Sequence, residues 1–281
     1  AVEGKLTERW RAENPPVEPA SKLLERILVE RRRRWEEAQL AAYAAKGKTP
    51  PKGWRERYEE VPRPNSDALP ALPVGWCWAA VAQVGEVQLG RQRAPRYHSG
   101  PNMRPYLRVA NVFEDRIDLS DVMEMDFGPQ DFETYRLRYG DILLNEGQSK
   151  ELVGRPALFR DELPDACFTN TLIRFRACDG VLPEYALAVF LAYLKNGRFQ
   201  EVATITVNIA HLGAARFASI EFPVPPLAEQ KEIVSELSRC KASLDAVELQ
   251  VLHGLRRASR LRQAILRRAF TGGLTTAAYP L

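Results

Sequence analysis

Pro225-Pro226-Leu227-Ala228-Glu229-Gln230-Lys231-Glu232-Ile233-Val234 is where two kinds of chain meet. Before it, Phe222-Pro223-Val224-Pro225-Pro226 carries too much proline for a helix or a central strand, since proline brings no N–H to either. After it, apolar or small residues fall at Ile233, Leu237, Cys240, Leu244, Val247, Val251, Gly254, Ala258, Leu261 and Ile265. The intervals alternate four and three, which predicts one long helix with a coiled-coil seam. Ile233 to Ile265 would run about 50 Å at 1.5 Å per residue. A lone helix of that length cannot bury its own stripe, so the pattern calls for a partner. Gly254 costs about 1 kcal/mol relative to alanine inside a helix. The expected gain is close approach of another helix, with His253 beside the seam.

Upstream, composition divides the chain into 1–69, 70–226 and 227–281. In the first part Pro19 suits a helix start. Ser21, Leu24, Leu28, Arg31, Trp35, Ala38, Ala42 and Ala45 then form a stripe at helical spacing, ended by Lys46-Gly47-Lys48-Thr49-Pro50-Pro51. The rest, to Asp67, reads as an irregular linker. The middle part has the short alternating runs of a mixed domain. Tyr106–Val112, Gly140–Leu144 and Thr171–Phe175 read as strands, and Pro183–Lys195 as a short buried helix that Gly197 stops.

Composition narrows the class. An apolar fraction of 45% and a charged fraction of 27% are those of a globular protein with an ordinary core. No apolar run reaches membrane-span length, and no export signal opens the chain. Cys77, Cys167, Cys178 and Cys240 are scattered without a C-x-x-C pair, which fits a reducing cytoplasm. The three parts carry net charges of +3, −3 and +4. Within the middle part the signs segregate: Arg91, Arg93, Arg96, Arg104 and Arg108 face only Glu86 over 83–108, while 113–133 holds eight acids against Arg116. One face suits phosphate and another repels it; an ordinary solvated mixture is the alternative.

The chain also repeats itself. Ala269-Phe270-Thr271-Gly272-Gly273-Leu274-Thr275 echoes Ala1-Val2-Glu3-Gly4-Lys5-Leu6-Thr7 in the pattern A-x-x-G-x-L-T. The first residues therefore stand where an earlier long helix would be ending, which suggests a repeat unit of domain plus helix.

Four segments carry a family resemblance. Pro225–Val234 looks like the "PLPPLxEQxxIV" junction of type I restriction-modification specificity (S) subunits, and Leu72-Pro73-Val74-Gly75-Trp76-Cys77-Trp78 resembles the "LPxGWxW" opening of their target recognition domains. Gly140-Asp141-Ile142-Leu143-Leu144-Asn145 is similar to their "GDILLS" strand and loop, and Glu18–Ile27 matches the segment that often follows the first conserved helix. The four pieces occur in family order along nearly the whole chain.

The resemblance implies an α+β fold: an α/β-type target recognition domain over 70–226, a helical segment and linker from a preceding conserved region over 1–69, and a long conserved coiled-coil helix over 227–281. It implies a non-catalytic, cytoplasmic subunit that reads one half of a bipartite site in double-stranded DNA. Its helices would dock modification (methyltransferase) and restriction subunits, with S-adenosylmethionine, ATP and Mg bound by those partners and no cofactor or metal in this chain. S subunits usually carry two recognition domains, and this chain shows one. Either an upstream domain is missing or two half-subunits pair as a homodimer; the echo favours the first. Leu24, Leu28, Trp35, Ile233, Leu237, Leu244, Val247, Val251, Gly254, Leu261 and Ile265 are the expected helix interface.

Base edges are read by Arg, Lys, Asn, Gln, Ser and Thr, and three loops concentrate them. Gly90–Gly100, continuing to Asn102 and Arg104, offers Arg91, Arg93, Arg96 and Tyr97 where glycine and proline prevent regular structure. The second loop supplies Asn145, Gln148, Ser149 and Lys150 and leads to Arg155. The third, Thr204–His211, resembles the family's "GxTxxxI" segment, and Thr206 and Asn208 alternate there with apolar neighbours. A plain surface loop, a plain turn and an edge strand are the respective alternatives.

Catalytic readings fare worse. Asn14-Pro15-Pro16-Val17 resembles an amino-methyltransferase motif but lacks its aromatic residue, and the chain has no phosphate loop. Glu229-Gln230-Lys231 has a nuclease-like E-x-K shape but starts a helix. His98, His211 and His253 lack ligand spacing. Two rival readings stay open: a coiled-coil interaction protein that binds no DNA, and a specificity module of a fused methyltransferase-nuclease.

Overall fold

The computed structural model describes residues 1–15, 18–65, 68–206 and 209–271. They belong to two units, Ala1–Val234 and a second that begins at Ser235. In the first, α1 (Glu8–Glu13) is followed by α2 (Ala20–Ala45), which starts directly after an extended Pro19. Ala20, Leu23, Leu24 and Ile27 recur at three- and four-residue spacing on the buried face of α2. After a short turn at Trp54–Arg57 the chain enters β1 (Cys77–Ala80), α3 (Val81–Val84) and β2 (Gly85–Leu89).

Here the structure departs from the sequence expectation. Leu24 and its neighbours pack on the globule, where α2 meets α3 and β1, rather than on another long helix. Leu28 is half-buried. Trp35 stacks on Trp54 at 5.8 Å and lies 5.3 Å from the Tyr58 ring. The stretch expected as an irregular linker thus folds back and covers α2 with its own aromatics. Arg31 donates to the carbonyls of Ala82 and Gly85, so its charged end caps backbone of the globule. Residues 1–69 are part of the first unit, not a separate one.

The chain continues through β3 (Met103–Leu107), β4 (Val112–Phe113), β5 (Arg116–Ile117), β6 (Met123–Asp126), α4 (Pro129–Tyr135), β7 (Asp141–Asn145), β8 (Gly147–Gln148), β9 (Pro156–Leu158) and β10 (Cys167–Phe168). Then come β11 (Leu172–Ala177), α5 (Pro183–Lys195), α6 (Arg198–Val202), β12 (Thr204–Thr206), β13 (Ile209–His211), α7 (Ala214–Ser219), β14 (Glu221–Val224) and α8 (Leu227–Phe270). The single strand expected over Tyr106–Val112 is broken. Asn111 is buried, accepts from the Arg108 N–H at 3.0 Å and donates to the carbonyls of Asp118 and Asp121, which turns the backbone there.

The main sheet is antiparallel in the order β2-β11-β7-β9. Every residue of β7 is buried, because both faces of this sheet are covered. Helix α5 packs on β7, β9 and β11. A cluster of Leu107, Val112, Leu143, Phe159, Phe168 and Leu172 forms a second core. Phe190 of α5 meets Phe175 at 5.0 Å and Phe217 at 5.1 Å, edge to face. Smaller sheets run β10-β3-β6 and β12-β13-β8. First and last strands of the domain pair with each other, Cys77 opposite Val224 and Ala80 opposite Glu221.

The first turn of α8 is locked into the first unit by two side chains. Gln230 donates to the carbonyls of Gly180 and Pro225, both at 3.1 Å, and accepts from the Leu182 N–H at 2.9 Å. Glu229, 2% exposed, accepts from the Thr7 hydroxyl at 2.7 Å, the Trp76 indole at 2.8 Å and Arg11 Nε at 3.2 Å. The E-x-K shape is therefore a structural lock. Helix α8 has 44 residues, about 66 Å at 1.5 Å each. Of its seam, Ile233 is buried and Leu237 half-buried, whereas Leu244, Val247, Val251, Leu261 and Ile265 are each at least half exposed. A Cβ on Gly254 would meet open space. Among the described residues no helix is long and apolar enough to cross a membrane.

Candidate nucleic-acid interface

The first polar loop leaves β2 at Gly90. A Cβ there would overlap the backbone of Thr169, so only glycine lets the two segments touch. Arg91 does not project as its loop position suggests. It is 8% exposed, its guanidinium lies 3.9 Å from the Tyr97 ring centroid and 4.9 Å from that of Phe127, and it pairs with Asp131 at 2.7 Å. It also donates to the Asp126 carbonyl. Arg91 is thus the post on which loop one is built, and Tyr97, half-buried, is its lid.

Arg93 and Arg96 are exposed, each over an aromatic face: Arg93 5.7 Å from Tyr106, Arg96 4.8 Å from Tyr97. Neither has an acidic partner among the described residues. Stacking holds a guanidinium in place while leaving its N–H groups free. Asn102 is half-buried and its N–H donates to Asp126 Oδ1 at 2.7 Å. Arg104 stacks 4.7 Å from the Phe132 ring centroid and shares Asp165 with Arg136, at 3.7 and 3.0 Å. Arg136 lies 5.2 Å from the same ring. Sequence reasoning missed Arg136 because it adjoins the acidic stretch; only folding sets it beside Arg104.

Asn145, at the end of β7, is fully buried, and neither atom of its amide has a hydrogen-bond partner among the described residues. A buried amide cannot meet a base edge, so this expectation fails: Asn145 belongs to the support of loop two. Gln148, Ser149 and Lys150 are partly or fully exposed beyond it. Gln148 pairs with Ala210 of β13, whose other side pairs with β12, Thr206 opposite Ile209. Loops two and three therefore form one small sheet, with Thr206 exposed at its edge. Asn208 lies outside the described residues. His211 Nδ1 sits 3.2 Å from Glu146 and ties that sheet to the loop. Arg155 stands apart, half-buried 4.6 Å from the Phe113 ring, and burial lowers its pKa.

Loops one and two meet at a turn, Thr169-Asn170-Thr171, whose last residue the sequence reading took as the start of a strand and whose first two it left unassigned. Arg91 bridges Thr169, and the Asn170 N–H donates to the Arg91 carbonyl at 3.0 Å. The Glu146 N–H donates to the Thr171 carbonyl at 3.0 Å, and the Val109 N–H to the Thr171 hydroxyl at 3.1 Å. The Leu212 N–H in turn donates to the Glu146 carbonyl at 2.8 Å, which brings loop three to the same junction. Three polar side chains in a row at the head of a strand were the available signal. Among the described residues no group of three His, Cys, Asp or Glu side chains is placed to hold a metal ion.

A mixed globule that gathers polar loops at one backbone junction, with a long helix continuing from its last strand, is a domain built to present loops. Residues 74–253 match the family model described as the type I restriction modification DNA specificity domain, and the chain belongs to that family. It is similar to the EcoKI specificity subunit of Escherichia coli strain K12, 28% identical over 173 residues, 61% of this chain and 37% of that protein. The StySPI specificity subunit of Salmonella potsdam is 28% identical over 218 residues, 73% of this chain and 45% of that protein. The chain spans about two-fifths of the length of these curated relatives. A solved chain from a study of type I R-M complex assembly and conformational transition superposes with a TM-score of 0.54 at 22% identity, over 89% of this chain and 57% of that one, a likeness of fold.

Proposed function

We propose that this chain reads one half of a bipartite site in double-stranded DNA as the non-catalytic specificity component of a type I restriction-modification complex. The observation that carries the proposal is the junction at Thr169–Thr171, which holds three polar loops together, two of them with exposed, uncommitted side chains. Arg93 and Arg96 suit phosphate or guanine; Gln148, Ser149, Lys150 and Thr206 suit base edges and backbone. In this reading α8 docks the modification and restriction subunits, and its exposed seam zips to a helix of a second copy or of a longer chain. Methyl transfer and cleavage belong to those partners, which bind S-adenosylmethionine, ATP and Mg, and the complex works in the cytoplasm.

The test is enrichment from a random duplex library by the full chain, followed by binding to the enriched site at several salt concentrations. A defined half-site is expected, with affinity falling steeply with salt. The double variant Arg93→Ala/Arg96→Ala should flatten the log–log salt slope by about 2, close to one released counterion per lost phosphate contact. A library left unenriched by the parent chain, with no retention even at low salt, would favour the interaction-protein reading instead.

A further inference from the structure

The turn at the loop junction carries a side chain with no assigned task. Its backbone is held from several sides. Asn170 N–H donates to Arg91, Thr169 N–H donates to the Leu107 carbonyl at 3.1 Å, and Leu172 N–H closes the turn onto Thr169 at 2.9 Å. The Gly90 N–H reaches the Leu172 carbonyl at 3.1 Å, and the missing Cβ of Gly90 lets that strand end lie directly on Thr169. Thr169 and Thr171 spend their hydroxyls inward: the first donates to the Leu107 carbonyl at 3.4 Å, the second accepts from the Val109 N–H, and the two lie 3.4 Å apart.

Asn170 between them is different. It is neither buried nor fully exposed, and its amide has no hydrogen-bond partner among the described residues. Loops one and two leave from either side of it, through Arg91 and Glu146. An amide is a donor beside an acceptor on one plane, the pairing that adenine offers in the major groove at N6 and N7. A reader of one base must be held to within about half an ångström, which a turn fixed by this many backbone bonds provides and a free loop does not.

We propose that Asn170 is a specificity-determining residue that reads one adenine of the half-site through its side-chain amide. The inference rests on the DNA-recognition reading above and goes further by naming a base and the residue that selects it. Arg93 and Arg96 would then position the duplex, while Asn170 discriminates.

The experiment compares the parent chain with Asn170→Ala and Asn170→Asp in the same random-library selection, alongside thermal unfolding of all three. Asn170→Asp keeps the shape but removes the donor. The expected result is that both variants unfold near the parent temperature and keep the parent motif except at one A·T position. There the preference for adenine falls about 10- to 100-fold. An unchanged motif in both folded variants would overturn the assignment, as would a uniform loss over all sequences, which marks a phosphate contact. If Asn170→Ala unfolds early, the Asn170→Asp motif decides on the same terms. A parent chain that selects no motif sinks the recognition reading itself, and this inference with it.

Discussion

Glu229→Ala should be among the most damaging single substitutions in the first unit. The carboxylate is 2% exposed and takes three donors, from Thr7, Trp76 and Arg11. Removing it strands the buried Thr7 hydroxyl and Trp76 indole without their acceptor, at about 1–3 kcal/mol for each unsatisfied buried donor. It also leaves Arg11, whose side chain is 16% exposed, without its counter-charge; breaking a buried pair costs about 3–5 kcal/mol. These costs overlap, since all describe one carboxylate, and Arg11 recovers part of its hydration. About 4 kcal/mol is the reasonable total. For a unit of this size each kcal/mol moves the midpoint by about 2–4 °C, so the loss is roughly 8–16 °C. Scanning calorimetry reads it directly. Thr7→Ala alone should cost about 1 kcal/mol, and the double variant should fall well short of the sum because the two share one bond. A Glu229→Ala midpoint within about 2 °C of the parent would refute the lock.

Three further outcomes follow from where side chains lie. Arg91→Ala should destabilise the fold by about 1–3 kcal/mol, while Arg93→Ala should stay within about 0.5 kcal/mol; urea titration showing the reverse order would undo the division between post and reader. Burial pushes the Cys167 thiol up to about 12 and Cys77 up to about 11, and raises Cys178 as well, while Cys240 is exposed. A maleimide at pH 7 should therefore label Cys240 quickly and the other three only after denaturation. The folded state keeps protons that the unfolded chain releases above the ordinary thiol value of 9.0, so these groups lower stability as pH climbs past it. A midpoint that rises between pH 9 and 11 would contradict that sign.

Local pattern carried the helices well. Pro183–Lys195 lies in α5 with the boundaries that Pro183 and Gly197 suggest, and the four-three alternation after Pro226 is one helix to Phe270. Gly140–Leu144 and Thr171–Phe175 overlap β7 and β11. What pattern could not give was the destination of polar side chains. An arginine in a loop of glycine and proline looks solvent-bound until Tyr97, Phe127 and Asp131 arrive from elsewhere to enclose it. Asn145 has the composition of a loop residue, yet it ends a strand that is buried on both faces. Arg136 and Asp165 are 29 residues apart in the chain and meet only in the fold. The Thr169–Thr171 junction is made of backbone bonds to Arg91, Leu107 and Glu146 and of the Thr171 hydroxyl's bond from the Val109 N–H, none of them local.

The antiparallel pairing of β1 with β14 has a consequence for how such a protein can change. Because entry and exit strands lie side by side, the chain enters and leaves the segment between Trp78 and Pro223 at one place. Further contacts, among them those from Arg31 to Ala82 and Gly85 and from Gln230 to Gly180 and Leu182, tie that segment to the rest of the first unit. A foreign insert whose ends lay equally close, and which offered the same backbone groups to Arg31 and Gln230, would leave the rest of the first unit as it stands. Under the proposed reading role, a new target would then come from exchanging this one stretch of chain rather than from rebuilding the unit around it.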